Sequence, residues 1–386
     1  MKKWINKHIC FFLSLALLVC SLAGCAEKLQ DLQVSTTYVS ELRGFPLKPT
    51  VCWNNYVISV ESIYDRATGE VRKGFCEDVE CDGDCMFEMN ATNVAALYDG
   101  RAYFTLRDRH DTYYGYHDIL TGENVILLQI GREERLPTCP QFVDGERMYY
   151  SRKLLKDGGN PENADDYIAH VCSMPCDGGK EEMLYDMRGN SETLLLINEG
   201  IMYSYFESKI WRTDLTTWEQ RALHDLTQSE IDGVGDFCSI GGYLYFNTIT
   251  DGNKYLVRMD PDTGEWFFVV DVPLASYLIE NDAIYFSPYV MRQINDPSLY
   301  PPHGEDADYV FYDTTLYACD LDGSNVRAVW TDKSGKLCFV DDYTVVNGVW
   351  YGWMEEYNDT TLTWDDAYFA ELHFDTGEII PATVVK

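Results

Sequence analysis

Seven copies of one sequence unit predict an all-β chain, a β-propeller of seven four-stranded blades, with six to eight as the range the repeats allow. The first observation is a two-residue turn that leads into an apolar and aromatic strand. It recurs as Asn54-Asn55-Tyr56-Val57-Ile58, Asp99-Gly100 before Tyr103-Phe104, Asp144-Gly145 before Met148-Tyr149-Tyr150, and Glu199-Gly200-Ile201-Met202-Tyr203. The remaining copies are Gly241-Gly242-Tyr243-Leu244-Tyr245-Phe246, Asn281-Asp282-Ala283-Ile284-Tyr285-Phe286 and Asn347-Gly348-Val349-Trp350-Tyr351. Asn-Gly, Asp-Gly and Gly-Gly tolerate the positive φ of the hairpin turns that match strand twist. The second observation is a short strand after each copy, closing on an Asp-x-x-Thr-Gly type of turn. Examples are Asp65 to Gly69, Asp118 to Gly122 and Asp260 to Gly264; weaker copies sit at Asp214, Asp320 and His373, and in the third repeat the turn decays to Pro175-Cys176-Asp177-Gly178. The third is spacing: two hairpins every fifty or so residues fit one blade, whereas a β-sandwich needs about 100.

The elements follow in chain order. Residues 1–24 read as a leader, with Lys2, Lys3 and Lys7 ahead of an apolar stretch over 9–19 that is short for a membrane span. Leu22-Ala23-Gly24-Cys25 resembles the bacterial lipobox, in which a peptidase cuts before a cysteine carrying diacylglycerol. The resemblance implies lipidation at Cys25, a mature chain three positive charges poorer, and an extracytoplasmic protein held on the outer face of the cell membrane by its lipid. Residues 25–45 are then the lipidated cysteine and its tether, and 46–386 the propeller. The stretch over 33–46 offers a further strand that would close the ring.

The repeat pattern as a whole resembles the lipid-anchored β-propeller lipoproteins of Gram-positive gut and soil bacteria. Their repeats are similar to the TolB and low-density-lipoprotein-receptor types, and the family's function is unknown. The resemblance covers roughly residues 45–386 and implies architecture, not activity. Such lipoproteins often carry a cysteine cluster after the first repeat, with His beside the second Cys and Pro after the last. Here the cluster is Cys76, Cys81 and Cys85, with Gly83 and Met86 at those two places.

Composition narrows the function. The chain of 386 residues has a formal net charge of −33, which argues against nucleic acid, whose phosphates need Lys and Arg. It is 46% hydrophobic and 14% aromatic, too apolar for a disordered polyanion and suited to strands. Beyond Cys10, Cys20 and Cys25, ten cysteines remain, an even number in an exported chain, so disulfides are the favoured reading. Cys172 and Cys176 are either a close pair or two unrelated strand residues. Cys76, Cys81 and Cys85 with Cys52 as a fourth ligand form the one weak metal candidate, off the usual Cys-x-x-Cys spacing. Asp260-x-Asp262 and Asp320-x-Asp322 recur as turns and lack the other ligands of a calcium loop. No His-Glu-x-x-His, nucleophile elbow or phosphate loop occurs, so neither metal nor cofactor is expected.

If the strands of each blade run outward from the axis, the Asp-Gly and Thr-Gly turns share one face, and insertions fall mainly on the other. They are expected at 107–115, 152–167, 287–314 and 353–366. Two are rich in aromatics and acids, and Tyr289, Tyr300, His303, Trp353, Tyr357 and Trp364 are the candidate ligand-binding residues. Ring faces beside carboxylates can stack on sugars or hold a cationic peptide group. The expectation is a non-catalytic surface lipoprotein that binds a glycan, peptide or envelope protein. The alternatives are a surface hydrolase using carboxylates of that face, and a structural partner in an envelope complex.

Overall fold

The computed structural model describes residues 43–45, 50–59, 62–76, 91–107, 110–134, 136, 141–160, 162–163, 166–189, 191–228, 231, 233–280, 283–290, 311–312, 315–333, 337–358, 363–364 and 367–385. A strand of three residues, β1 (Arg43–Phe45), precedes the blades. Blade 1 is β2 (Val51–Trp53), β3 (Tyr56–Ile58), β4 (Ser62–Asp65) and β5 (Glu70–Lys73). Blade 2 is β6 (Ala91–Tyr98), β7 (Arg101–Arg107), β8 (Asp111–Asp118) and β9 (Asn124–Gly131). Blade 3 is β10 (Gln141–Asp144), β11 (Arg147–Leu155), β12 (Tyr167–Pro175) and β13 (Glu182–Asp186). Blade 4 is β14 (Thr193–Asn198), β15 (Ile201–Phe206), β16 (Lys209–Asp214) and β17 (Gln220–Asp225). Blade 5 is β18 (Gly235–Ile240), β19 (Tyr243–Thr250), β20 (Asn253–Met259) and β21 (Trp266–Phe268).

The last two blades each carry an extra short strand. Blade 6 is β22 (Leu274–Glu280), β23 (Ala283–Val290), β25 (Thr315–Asp320) and β26 (Arg327–Thr331), with β24 (Phe311–Tyr312) paired to β23. Blade 7 is β27 (Leu337–Val346), β28 (Val349–Asn358), β30 (Tyr368–His373) and β31 (Ile379–Pro381), with β29 (Thr363–Trp364) paired to β28. β32 (Thr383–Val384) follows. In every blade, the four main strands follow one another in the sheet, and the first strands of successive blades approach one another around the axis, except that blade 5 meets β22 through β20. The protein is a seven-bladed propeller.

Period-2 alternation explains why the second strands of the blades read as continuous apolar runs. In β7, Ala102, Phe104 and Leu106 face the seam between blades 1 and 2, while Tyr103 joins the core shared with blade 3. Both faces of a blade are thus covered, so alternate residues enter different cores, and Ala102 to Phe104 and Leu106 are buried. The repeat tyrosines also tether blades through their hydroxyls. Tyr103 donates to the Cys176 carbonyl of blade 3 (3.0 Å) and Tyr245 to the Leu321 carbonyl of blade 6 (2.8 Å).

The expectation for 33–46 lies mostly outside the described residues, and the described part, 43–45, does not close the ring. The chain's last strand closes it instead: β32 lies parallel to β5, with Thr383 opposite Glu70 and Val384 opposite Val71. Across the same junction the Tyr64 hydroxyl donates to Glu371 (2.5 Å), and Arg66 lies over the Tyr351 ring (5.2 Å) while its Nε donates to the Tyr351 hydroxyl. β1 pairs antiparallel with the inner edge of β18, so that residues 43–45 sit in the central channel. Its Cα trace also comes within 8 Å of β6, β10 and β14.

Candidate functional site

The two faces of the ring differ in how their backbone groups are used. On the turn face, Asp118 Oδ1 accepts the N–H groups of Leu120 and Thr121, Asp214 those of Thr216 and Thr217, and Asp260 those of Asp262 and Thr263. The threonine then accepts the N–H of the following glutamate, as Thr217 does from Glu219 (3.3 Å). These bonds to the ionised form hold Asp118, Asp214 and Asp260 below the usual carboxylate range. The two turns of a blade are also joined: Leu215 N–H donates to the Gly200 carbonyl and Ile119 N–H to that of Gly100. His373 keeps the backbone role of the turn Asp, its carbonyl accepting from Gly377 N–H (2.7 Å). In blade 4, Trp218 stands where other blades have Gly, at φ +60°, and stacks on Tyr185 of the preceding blade at 6.3 Å.

The opposite face, the loop face, carries the connections that vary. Blades 4 and 5 turn there in two residues, Glu207-Ser208 and Asp251-Gly252, all at positive φ. The expected insertion at 107–115 is not one: β7 and β8 pair up to Arg107 opposite Thr112, and Gly115 lies inside β8. The loop over 156–166 of blade 3 is real and closes on itself, with Lys156 N–H to the Asp166 carbonyl and Asn160 N–H to the Asp166 carboxylate. In blades 6 and 7 the second strand runs on beyond the blade as a two-stranded ribbon. Tyr289 lies opposite Tyr312 on one ribbon, and Tyr357 opposite Trp364 on the other.

Four of the six candidate binding residues therefore fall on second strands or ribbons of neighbouring blades. Trp353 lies within the blade proper, half-buried, with its ring edge-on to Phe369 at 5.7 Å. It packs against the core of the closing seam. Tyr300, His303, Cys25, Cys81 and Cys85 lie outside the described residues. Cys52 sits in a row with Val57, Tyr64 and Val71, three strand spacings or about 14 Å from the strand that leads to Cys76. Among the described residues no group of three or more His, Cys, Asp or Glu is placed to hold a metal. Cys172 and Cys176 are buried free thiols in blade 3, unrelated rather than paired, and burial pushes Cys176 up to about 11.

One cluster on the loop face has no counterpart in the sequence motifs. β18 opens with a bulge, the two residues between Gly235 and Cys238 facing the one between Asn247 and Tyr245. The bulge places Asp236 at φ +43°, outside any turn. Its carboxylate accepts from the Asn247 amide and from the Tyr277 hydroxyl (3.3 Å), and the Asn247 amide also reaches the Tyr277 oxygen (3.3 Å). Gly235 makes this possible, because a Cβ there would stand 2.6 Å from Asn247 Oδ1. Burial raises the Asp236 carboxyl, against the opposing pull of Lys254, and raises the Tyr277 hydroxyl well above its ordinary value. A strained backbone under a carboxyl that resists ionisation is a recurrent feature of functional sites. The only sequence trace is Gly233-Val234-Gly235-Asp236, which matches no motif.

Glu192, a buried acid of this face, is paired where it stands. It accepts from the Arg188 backbone N–H (2.6 Å), the Arg188 guanidinium and the Ser204 hydroxyl (2.6 Å). Arg188 in turn lies over the Trp211 ring at 4.2 Å. Among the described residues, two grooves of the turn face stand out. The larger, of about 690 Å³, lies between blades 4 and 5 and is lined by His224, Arg258 and Trp266; a second of about 290 Å³ lies between blades 1 and 2. Both run between the last strand of one blade and the Thr-Gly turn of the next. Their recurrence makes them products of blade packing.

No known protein family matches the chain, and no curated protein matches it in sequence. Among solved structures it is similar in fold to a prolyl endopeptidase, at 11% identity and a TM-score of 0.49, over 92% of this chain and 51% of that one. The chain thus spans about half the length of the peptidase. It is similar to an oligogalacturonate lyase from Vibrio parahaemolyticus (9% identity, TM-score 0.49, 89% and 93% of the two chains). TolB from Acinetobacter baumannii, whose repeat type the sequence resembles, is a third (13% identity, TM-score 0.32, 72% and 67%).

Proposed function

We infer that this chain is a lipid-anchored, extracytoplasmic binding propeller that holds a glycan, a peptide or an envelope protein on its loop face. The difference between the faces carries the reading. One face spends its turn N–H groups on its own aspartates and threonines, while the other projects two ribbons bearing Tyr289, Tyr312, Tyr357 and Trp364. Variable segments on a rigid scaffold are where recognition concentrates. The lipobox-like Cys25 supplies the anchor.

The test is binding of the full lipid-bearing chain, in detergent micelles, to arrays of glycans and peptides. Replacing 291–310 and 359–362 by short Gly-Ser linkers is expected to abolish a hit. Undiminished binding by that variant rejects the loop face. A hydrolase reading draws support from Asp236, whose carboxyl burial raises toward holding its proton, as a general acid must. Among the described residues its hydrogen-bonding partners are an amide and a phenol, not the second carboxylate of a glycosidase pair. Turnover of the array hit that vanishes in Asp236→Asn while binding persists would establish the hydrolase.

A further inference from the structure

We propose that the N-terminal segment threads the central channel from the turn face, so that the chain leaves for its anchor on that side and presents the loop face outward. The lipid in this statement rests on the anchoring reading above; the threading does not. β18 runs from the loop face, where Gly235 opens it, to the turn face, where Gly241 and Gly242 join it to β19. β1 is antiparallel to it, with Arg43 opposite Ser239, Gly44 opposite Cys238 and Phe45 opposite Phe237. Arg43 is therefore at the turn-face end of the channel and Phe45 at the loop-face end. The continuation agrees: β2 starts at the loop face with Val51 and reaches the turn face at Asn54.

The inner edge of a first strand is one of the two unpaired edges of a four-stranded blade, and β1 fills that edge in blade 5. Seventeen residues separate Cys25 from β1 and span at most about 58 Å fully extended. That reach begins at the centre of the turn face. A lipid surface is the partner this geometry gives to the turn face, and a soluble or wall-bound ligand the partner left to the loop face. The turn face is lined with ionised aspartates, so the bilayer is met through the tether and not by adsorption.

Two measurements on the full chain test this. Residues directly opposite in an antiparallel pair have Cα atoms about 5 Å apart, within disulfide reach, whereas diagonal neighbours are about 8 Å apart and beyond it. Mild oxidation of Arg43→Cys/Ser239→Cys is expected to give the 43–239 peptide by mass spectrometry, and Phe45→Cys/Ser239→Cys is not. No link in the first variant, or a link in the second, overturns the threading. The second measurement places a fluorophore on residue 120 of the turn face or residue 156 of the loop face, on phosphatidylcholine vesicles carrying a headgroup acceptor. Six residues of β18 put the faces roughly 20 Å apart. Transfer is expected from residue 120 and largely lost from 156; equal or reversed transfer overturns the orientation. Intact mass that finds Cys25 without lipid rejects the anchor instead, and the cross-link then decides the threading alone.

Discussion

Asp236 on the loop face of this ring is pushed in the opposite direction from the turn-face aspartates, although Asp225 of the loop face, bonded by Thr227, is lowered as they are. On the turn face Asp118, Asp214, Asp260 and Asp322 sit in solvent-facing turns whose N–H groups stabilise the charge, and all four are lowered. On the loop face Asp236 is drawn inward by a bulge, and burial raises it. The same residue type thus serves as a local fastener in the turns and as a strained, protonation-prone group in the bulge. Two glycines mark the extremes of crowding, though Gly145, Gly200, Gly242 and Gly348 of the turn face are open and Gly235 of the loop face is crowded. A Cβ on Gly323 of the turn face would stand 1.9 Å from the Val269 carbonyl of the preceding blade, while Gly252 of the loop face has open space around it. The turns at Gly264 and Gly323 are therefore where blades lock together, while the tight turn at Gly252 is free to vary.

The largest effect that would break this comparison is at Gly323. With φ +81° and a backbone carbonyl in the way, Gly323→Ala is expected to destabilise by at least about 3 kcal/mol, read from denaturant midpoints. Tyr64→Phe removes the hydroxyl that bonds Glu371 across the closing junction and should lose about 1.5 kcal/mol in the same assay. Gly252→Ala, at φ +77° without a clash, should lose only about 1 kcal/mol of backbone strain. A Gly252→Ala variant as damaged as Gly323→Ala would erase the distinction between the two turns.

pH sharpens it further. Between the ordinary Asp pKa and the raised value of Asp236, the folded chain holds more protons than the unfolded one, so this group's contribution falls as pH rises. Asp236→Asn should therefore remove that slope and stabilise the protein at pH 7 by about 1 kcal/mol, since Asn tolerates positive φ and carries no charge to desolvate. Asp118→Ala should show the reverse sign and the smallest size. Its lowered carboxylate stabilises above the ordinary Asp pKa, and that contribution is lost as pH falls through the folded value. Melting temperature followed from pH 3 to 8 distinguishes the two slopes.

The propeller was legible because its signals are local. A turn residue at positive φ and a Tyr two or three places on repeat often enough to outweigh any single weak copy, and even His373 and Trp218 could be assigned by position. The loop over 107–115 misled because Arg107 and Asp111 look like loop polars, yet β7 and β8 continue through them as an exposed strand end. Asp236 stayed hidden for a different reason. Its environment is assembled from Asn247 and Tyr277, eleven and forty-one residues away, and a bulge leaves no pattern in a single chain. Ring closure by residues 383–384 and occupation of the channel by 43–45 are likewise long-range pairings that strand propensity does not encode.

The seat of β1 also sets how the molecule answers a pull. Tension on the chain ahead of Arg43 runs along the channel axis and loads three residue pairs with blade 5 in shear. The junction of blades 7 and 1 lies elsewhere in the ring and is not in line with that load. β1 thus acts as a mechanical fuse: under drag it would slip from β18 and lengthen the leash before any blade opened. Single-molecule stretching from residue 25 should record that short first extension, absent when Arg43→Cys/Ser239→Cys is oxidised.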